Sequence, residues 1–134
     1  MGYGEFFSQY PIAKAIMAFV AAGILASFAC VVFERSAKGI SINGRSVCVC
    51  GVQIKAWYNI PIIGWLVQGG VARCCGSRIP SGYFLAELIS ATYAAVIFYI
   101  APFVVSALST IVVIVSVGYM SSRVNSSGKD KGSE

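Results

Sequence analysis

The chain of 134 residues is 57% hydrophobic and only 11% charged, with five cysteines, no histidine and a net charge of +5. A soluble domain of this size has too little interior to hide that much apolar surface, so the composition indicates a membrane protein. The basic residues are scattered rather than gathered, which excludes a nucleic-acid partner, and the lack of histidine excludes a Ser-His-Asp or Cys-His triad.

Residues 1–10 form an aromatic lead-in, with Tyr3, Phe6, Phe7 and Tyr10 suited to the headgroup region. The run 11–33 carries one charge, Lys14, over 23 residues, and a spanning helix needs about 20 residues. It reads as the first membrane helix. A cleaved signal peptide fits poorly, because the leading residues lack basic side chains and the basic pair Arg35 and Lys38 follows the apolar run instead of preceding it. A lipoprotein signal ending at Cys30 fails on the same grounds, and Cys30 reads as a small apolar residue of the span.

The connection 35–82 carries Arg35, Lys38, Arg45, Lys55, Arg73 and Arg78 and no acid. Basic loops stay in the cytoplasm, so this loop and the C-terminal tail are expected inside and the N-terminus outside. Turn-forming residues occur at 41–46 and at Gly69-Gly70, while 59–66 is apolar enough to lie on the membrane surface. A module this small lacks the residues for a core of its own and needs a metal, a disulfide or a partner. Cys48 and Cys50, then Cys74 and Cys75, form two pairs separated by 23 residues. Two cysteine knuckles of this kind are the usual source of a tetrahedral thiolate zinc site. The spacing argues the other way, since Cys-Val-Cys is tighter than Cys-x-x-Cys and adjacent cysteines are expected to point apart. The residues therefore leave two readings open, bound zinc or a site that has lost its metal. Disulfides are disfavoured on the cytoplasmic side.

The run 83–120 carries one charge, Glu87, over 38 residues, enough for two short spans. Pro102 removes a helical hydrogen bond near its middle, which predicts a hairpin of helices over 83–100 and 103–120, with one kinked helix as the rival. Glu87 is the single acid inside an apolar segment, a functional candidate by default, with Arg78 as the expected structural partner. Residues 121–134 are polar and rich in Ser and Gly, and are expected to be disordered. The expected architecture is thus all-α and membrane-bound: residues 1–34 hold the lead-in and first span, 35–82 a small cytoplasmic cysteine-containing loop, 83–120 the hairpin and 121–134 the tail.

Several positions carry a family resemblance. The end of the first span reads Ala26-Ser27-Phe28-Ala29-Cys30-Val31-Val32-Phe33-Glu34-Arg35. Cys50, Ile54, Asn59, Pro61, Trp65, Gly70, Cys75, Ile79, Tyr83 and Glu87 follow in order. This series resembles the N-terminal region of the type IV prepilin peptidases, membrane aspartic proteases that cut the leader from pilins and type II secretion pseudopilins. The family pattern at the span end is similar to G-S-F-L-N-V-x-I-x-R, matched by Ser27, Phe28, Val31 and Arg35. It continues as Ser-x-Cys-Pro-x-Cys, an N/D-x-P turn matched by Asn59 and Pro61, a Trp, a second cysteine knuckle, and an Ile, a Tyr and a Glu matched by Ile79, Tyr83 and Glu87. Aligned without gaps, Val47 and Ala72 take the first cysteine position of each knuckle, and Cys30 replaces an asparagine.

The resemblance implies a zinc-stabilised cytoplasmic loop linked to substrate handling and to methylation of the new pilin N-terminus. It implies catalysis by two aspartates on later helices, whereas the single aspartate here is Asp130, in the tail. The expected function is therefore a non-catalytic part or partner of a leader-processing system in the bacterial inner membrane. Its partners would be the bilayer, a separate catalytic prepilin peptidase subunit or a prepilin substrate. The alternative is a small membrane scaffold or regulator of pilus or secretion assembly. Under either reading the isolated chain is not expected to be an enzyme.

Overall fold

The computed structural model describes residues 9–127. Helix α1 (Pro11–Ala37) leads into a long connection that holds a 3-10 turn (Ala56–Asn59) and the short helix α2 (Ile63–Gln68), followed by α3 (Ser81–Ile100) and α4 (Phe103–Ser127). Helices α1, α3 and α4 are long and apolar enough to cross a membrane, and no strand occurs among the described residues, only two isolated β-bridges in the connection. The chain is a multi-pass membrane protein with three spanning helices, α1, α3 and α4, and with Cys48, Cys50, Cys74 and Cys75 between the first and second of these.

Helix α1 packs most broadly on α3, and α4 lies against both. The interior is made of small side chains: Ala22 and Ala26 of α1, Ala91 and Ala94 of α3, and Ile114 of α4 are buried. Among lipid tails an apolar side chain gains nothing by leaving its surroundings, so helices associate through close van der Waals contact, which alanine and glycine permit. Gly118 shows the tolerance, since a Cβ there would lie 3.2 Å from the Phe33 ring. The large side chains Ile24, Phe28, Leu108 and Val112 point outward, where lipid meets them at no cost.

The hairpin forms as the proline predicts. Helix α3 ends at Ala101 in extended conformation, φ −118° and ψ 161°, and α4 begins at Phe103 after Pro102, which excludes the single kinked helix. A broken helix leaves carbonyls without donors, and lipid offers none. Ser106 supplies one: its fully buried hydroxyl lies 2.9 Å from the Pro102 carbonyl, 3.1 Å from that of Ile97 and 3.3 Å from that of Ala101. Phe98 and Phe103 close the corner edge to face, with ring centroids 5.6 Å apart.

Two boundaries differ from the sequence expectation. Helix α1 continues to Ala37, and α4 runs through Ser127, so 121–127 is helix and not tail. The reason is packing. Tyr119 meets Phe33 edge to face at 6.1 Å, the Arg123 guanidinium sits 5.9 Å from the Tyr119 ring, and Ser121 and Ser122 are buried. The lead-in residues Tyr3, Phe6 and Phe7 and the rest of the tail, with Asp130, lie outside the described residues.

The corner yields a direct test. Ser106→Ala removes the one hydroxyl donor at the break, leaving the Ala101 carbonyl without it while those of Ile97 and Pro102 keep the N–H groups of Ala101 and Ser106, and is expected to lower stability by about 1 kcal/mol. Thermal or SDS unfolding of the detergent-purified protein measures it, and Ser106→Thr, which keeps the donor, is expected to lose less.

Candidate metal centre

The four loop cysteines converge. Their sulfurs all lie within 4.8 Å of one another, with Cys48 Sγ 3.5 Å from Cys75 Sγ, Cys50 Sγ 3.4 Å from Cys74 Sγ, and Cys74 Sγ 3.8 Å from Cys75 Sγ. Sulfurs about 2.3 Å from a zinc ion at the corners of a tetrahedron are about 3.8 Å apart. The donor set therefore fits a tetrahedral thiolate ion with almost no rearrangement. This corrects the expectation that Cys74 and Cys75 point apart: the turn that carries them brings both sulfurs to one side.

Two similar turns build the cluster. In the first, Val47 bridges Gln53, the Cys48 N–H donates to the Val52 carbonyl at 2.8 Å and the Gly51 N–H to the Cys48 carbonyl at 2.9 Å. In the second, Val71 bridges Arg78, the Ala72 N–H donates to the Ser77 carbonyl at 2.8 Å and the Gly76 N–H to the Ala72 carbonyl at 2.8 Å. Each turn closes on a Cys-Gly step, Cys50-Gly51 and Cys75-Gly76, with glycine φ of +82° and +70°, a conformation that costs other residues energy.

The hydrogen bonds show that Cys48 is the counterpart of Ala72, and Cys50 of Cys75. The gapless alignment that placed Val47 at the first ligand position is thus corrected. Cys48 holds that position, with Ser46-Val47-Cys48 meeting the Ser-x-Cys of the family pattern, and one residue is missing between it and Cys50. In the second turn the first ligand is lost at Ala72, and the neighbouring Cys74 supplies the fourth sulfur.

The local electrostatics divide the thiols. A backbone hydrogen bond from Cys50, aided by the Cys74 and Cys75 thiols, lowers the Cys48 pKa from 9.0 to about 6. The Ser77 hydroxyl, 3.1 Å from Cys75 Sγ, helped by the Ser77 backbone, lowers Cys75 as well. Cys74 is pushed up to about 12, because its proton is shared first with Cys48 and then with Cys50. Ser77 escaped the sequence reading; its signal was its place directly after Cys-Gly in the second turn.

The remaining sequence candidates hold the loop on the helices. The Arg35 guanidinium reaches the carbonyls of Ser41, Ile42, Gly44 and Arg45 at 2.8 to 3.3 Å, gathering the first stretch of the loop around one side chain. The Tyr83 hydroxyl donates to Glu34, which also pairs with Lys38, tying α3 to α1. The Asn59 side-chain amide donates to Ser46 Oγ at 3.3 Å, next to the first knuckle. Ser27 is half-buried in α1, while Phe28 is 61% exposed and takes no part in this assembly.

Glu87 departs from expectation. Its carboxylate is buried and accepts the Ile62 backbone N–H at 2.6 Å, not the Arg78 guanidinium, which is exposed. The partner is reached because residues 61–65 pack on the spanning helices. Gly23, midway along α1, has room for a Cβ 3.8 Å from both Pro61 Cβ and Ala91 Cβ, so Pro61 packs on α1 next to its contact with α3. Trp65 of α2 stacks on Phe84 at 4.8 Å and sends its indole N–H to the Ile79 carbonyl at 3.4 Å. A Cβ at Gly64 would fall 2.3 Å from the Tyr58 carbonyl oxygen, so the fold requires glycine there.

Comparison with known proteins agrees with this construction. Residues 9–101 match the family model described as the bacterial peptidase A24 N-terminal domain. The chain is 36% identical over 92 residues to the prepilin leader peptidase/N-methyltransferase of Klebsiella pneumoniae, covering 63% of this chain and 40% of that protein. It is 40% identical over 48 residues to the protein of the same name from Dichelobacter nodosus, covering 36% of this chain and 17% of that one. To that of Vibrio cholerae serotype O1 it is 33% identical over 75 residues, covering 48% and 30%. The chain thus spans well under half the length of these relatives. No solved structure matches it. With its three helices, paired cysteine turns and matched span of 93 residues, the chain belongs to the bacterial peptidase A24 N-terminal domain family.

Proposed function

We propose that this chain is a non-catalytic, metal-stabilised membrane module of a prepilin leader-processing system, acting with a partner that carries the proteolytic carboxylates. The observation that carries the reading is the use made of its own acids. Within the matched region, Glu34 is committed to Lys38 and Tyr83, and Glu87 to the Ile62 amide. Both acids are thus occupied by structural partners, whereas an aspartic protease requires two acids that share a proton and a water. The relatives are named for both peptidase and methyltransferase activities; the module would contribute to such a system by presenting its loop and helices to a prepilin or to the catalytic subunit. The test is coexpression with a membrane protease that carries an aspartate pair. Copurification, and prepilin cleavage by the pair but not by this chain alone, is the expected result; cleavage by the purified chain that survives Asp130→Asn and Glu87→Gln would defeat the proposal.

Zinc is the metal that best suits the cluster. Four thiolates leave no open coordination position, so the ion would hold the loop together and not take part in chemistry. About one zinc per purified chain is expected by elemental analysis. Cys50→Ser and Cys75→Ser should release it, and so should Cys74→Ser, whose loss Ala72→Cys should repair by restoring a sulfur at the position equivalent to Cys48. The pH dependence follows from the thiols. Cys74 keeps its proton at neutral pH until a metal displaces it, so loading at pH 7 should release protons. Cys48, lowered to about 6, has no proton to lose at pH 7 but must lose one below about pH 6, so zinc affinity should fall more steeply with falling pH there. A chromophoric chelator reads both effects.

The orientation proposed is loop and C-terminal tail in the cytoplasm and the N-terminus outside the inner membrane, from the basic residues of the loop. A cysteine placed at Ser133 should resist an impermeant thiol reagent in intact cells and react after lysis; labelling from outside would reverse the assignment.

A further inference from the structure

The segment 54–70 leaves the cluster at one knuckle and returns to it at the other. Its base is closed by the Ile54 N–H on the Ser46 carbonyl and the Ile79 N–H on the Gly70 carbonyl, at 2.9 and 2.8 Å, and by the Asn59 amide on Ser46. Its tip reaches deep. Gly23 lies ten residues before Phe33, where the apolar run of α1 ends, and Ala91 eight residues after Tyr83, where that of α3 begins, which at about 1.5 Å per residue is about 15 and 12 Å into a hydrocarbon core of about 30 Å. Pro61 is at that depth, beside Gly23. Irregular backbone is tolerated there only when protein satisfies its polar groups.

The tip is also strained. Ile62 has φ 62° and ψ −56°, and the Ile63 N–H donates to the Pro61 carbonyl at 2.6 Å. That is a γ-turn of the positive-φ kind, rare for any residue and costly for a β-branched one. Ile62 is the sole non-glycine residue with positive φ among the described residues. Such a conformation persists only where its surroundings impose it; here the Gly64 and Leu66 amides hold the carbonyls of Ile60 and Ile62, and the Glu87 carboxylate holds the Ile62 amide from the bundle side. Two opposing costs therefore meet at one hydrogen bond. Withdrawal of the turn would relax Ile62, yet it would leave the Glu87 carboxylate inside the bundle without its amide.

We propose that the turn at 59–62 is a re-entrant anchor whose insertion between α1 and α3 is thermodynamically linked to metal at the thiol cluster, with Glu87 as the positioning residue. This rests on the metal-centre reading above. A metal at the base fixes both ends of the segment and shortens the excursions of its tip; an inserted tip holds the two knuckles in register. Each event favours the other by the same factor. The device would let the state of the loop outside the membrane set whether the turn is seated against α1 and α3, while the two helices stay packed on each other.

Two measurements test the linkage. A Cβ at Gly23 lies 3.8 Å from Pro61 Cβ and equally from Ala91 Cβ, both inside the range of about 3.5 to 4.5 Å for a disulfide. In membranes treated with a mild oxidant, with bridges mapped by mass spectrometry, Gly23→Cys/Pro61→Cys should cross-link when zinc is bound, and several-fold less after zinc is stripped with a chelator. Gly23→Cys/Ala91→Cys should cross-link in both states, showing that the helices stay packed. Separately, Glu87→Leu in the otherwise unaltered chain should weaken zinc binding by about tenfold, while Glu87→Gln, which keeps an acceptor for the Ile62 amide, should stay within about twofold. Equal 23–61 cross-linking with and without zinc, or equal zinc affinity in Glu87→Leu and the unaltered chain, would overturn the linkage while leaving the metal centre intact. Failure of the unaltered chain to bind zinc would overturn both.

Discussion

Every backbone amide and carbonyl carried into a bilayer must find its partner in protein, and the irregular parts of this fold are arranged around that requirement. Helices satisfy it by themselves; corners and turns do not. Here the hydroxyl of Ser106 answers for the Ala101 carbonyl at the Pro102 corner, and the carboxylate of Glu87 answers for the amide of the turn that follows Pro61. At the loop end of α1, the Arg35 guanidinium does the same for four carbonyls. Each of these side chains is polar, sits at or inside the helix bundle and is directed at main chain instead of at another side chain. The structure thus spends its few polar groups on geometry.

The second element is smallness. Alanines at 22, 26, 91 and 94 let α1 and α3 approach closely, and Gly23 leaves the room into which Pro61 is set. A large side chain at Gly23 would close that space and separate the turn from Glu87. Close helix packing and the inserted turn are one feature seen from two sides.

Much of this was legible in the sequence because the signals were local. Apolar run lengths gave three spans, and Pro102 gave the corner, since a missing amide acts within one turn of helix. Four thiols in a loop too small for a core pointed to a metal. What could not be read was whatever depended on contacts distant in the chain. Glu87 was assigned to Arg78, nine residues away, whereas its partner is a backbone amide of a segment that looked like a surface stretch; nothing in a string of apolar residues distinguishes lying on a membrane from entering a bundle. The cysteines failed differently. Counting positions without a gap displaced Cys48, and only the hydrogen bonds of the two turns show that Cys48 and Ala72 occupy equivalent places, the first turn being one residue shorter. The end of α4 was misjudged because serine-rich composition suggested disorder, while packing of Tyr119 on Phe33 prolongs the helix.

Exposure of the thiol cluster bears on the rate at which any ion held there is exchanged. Cys50, Cys74 and Cys75 are at the surface, with only Cys48 half-covered. A metal enclosed in a core leaves only when the fold opens, so its exchange is as slow as unfolding. At this cluster an incoming thiol or chelator can attack the ion directly, replacing one sulfur at a time through mixed complexes. Occupancy would then follow the supply of free metal around the membrane instead of being fixed once at folding, and the lifetime of the bound state would be set by competing ligands in solution.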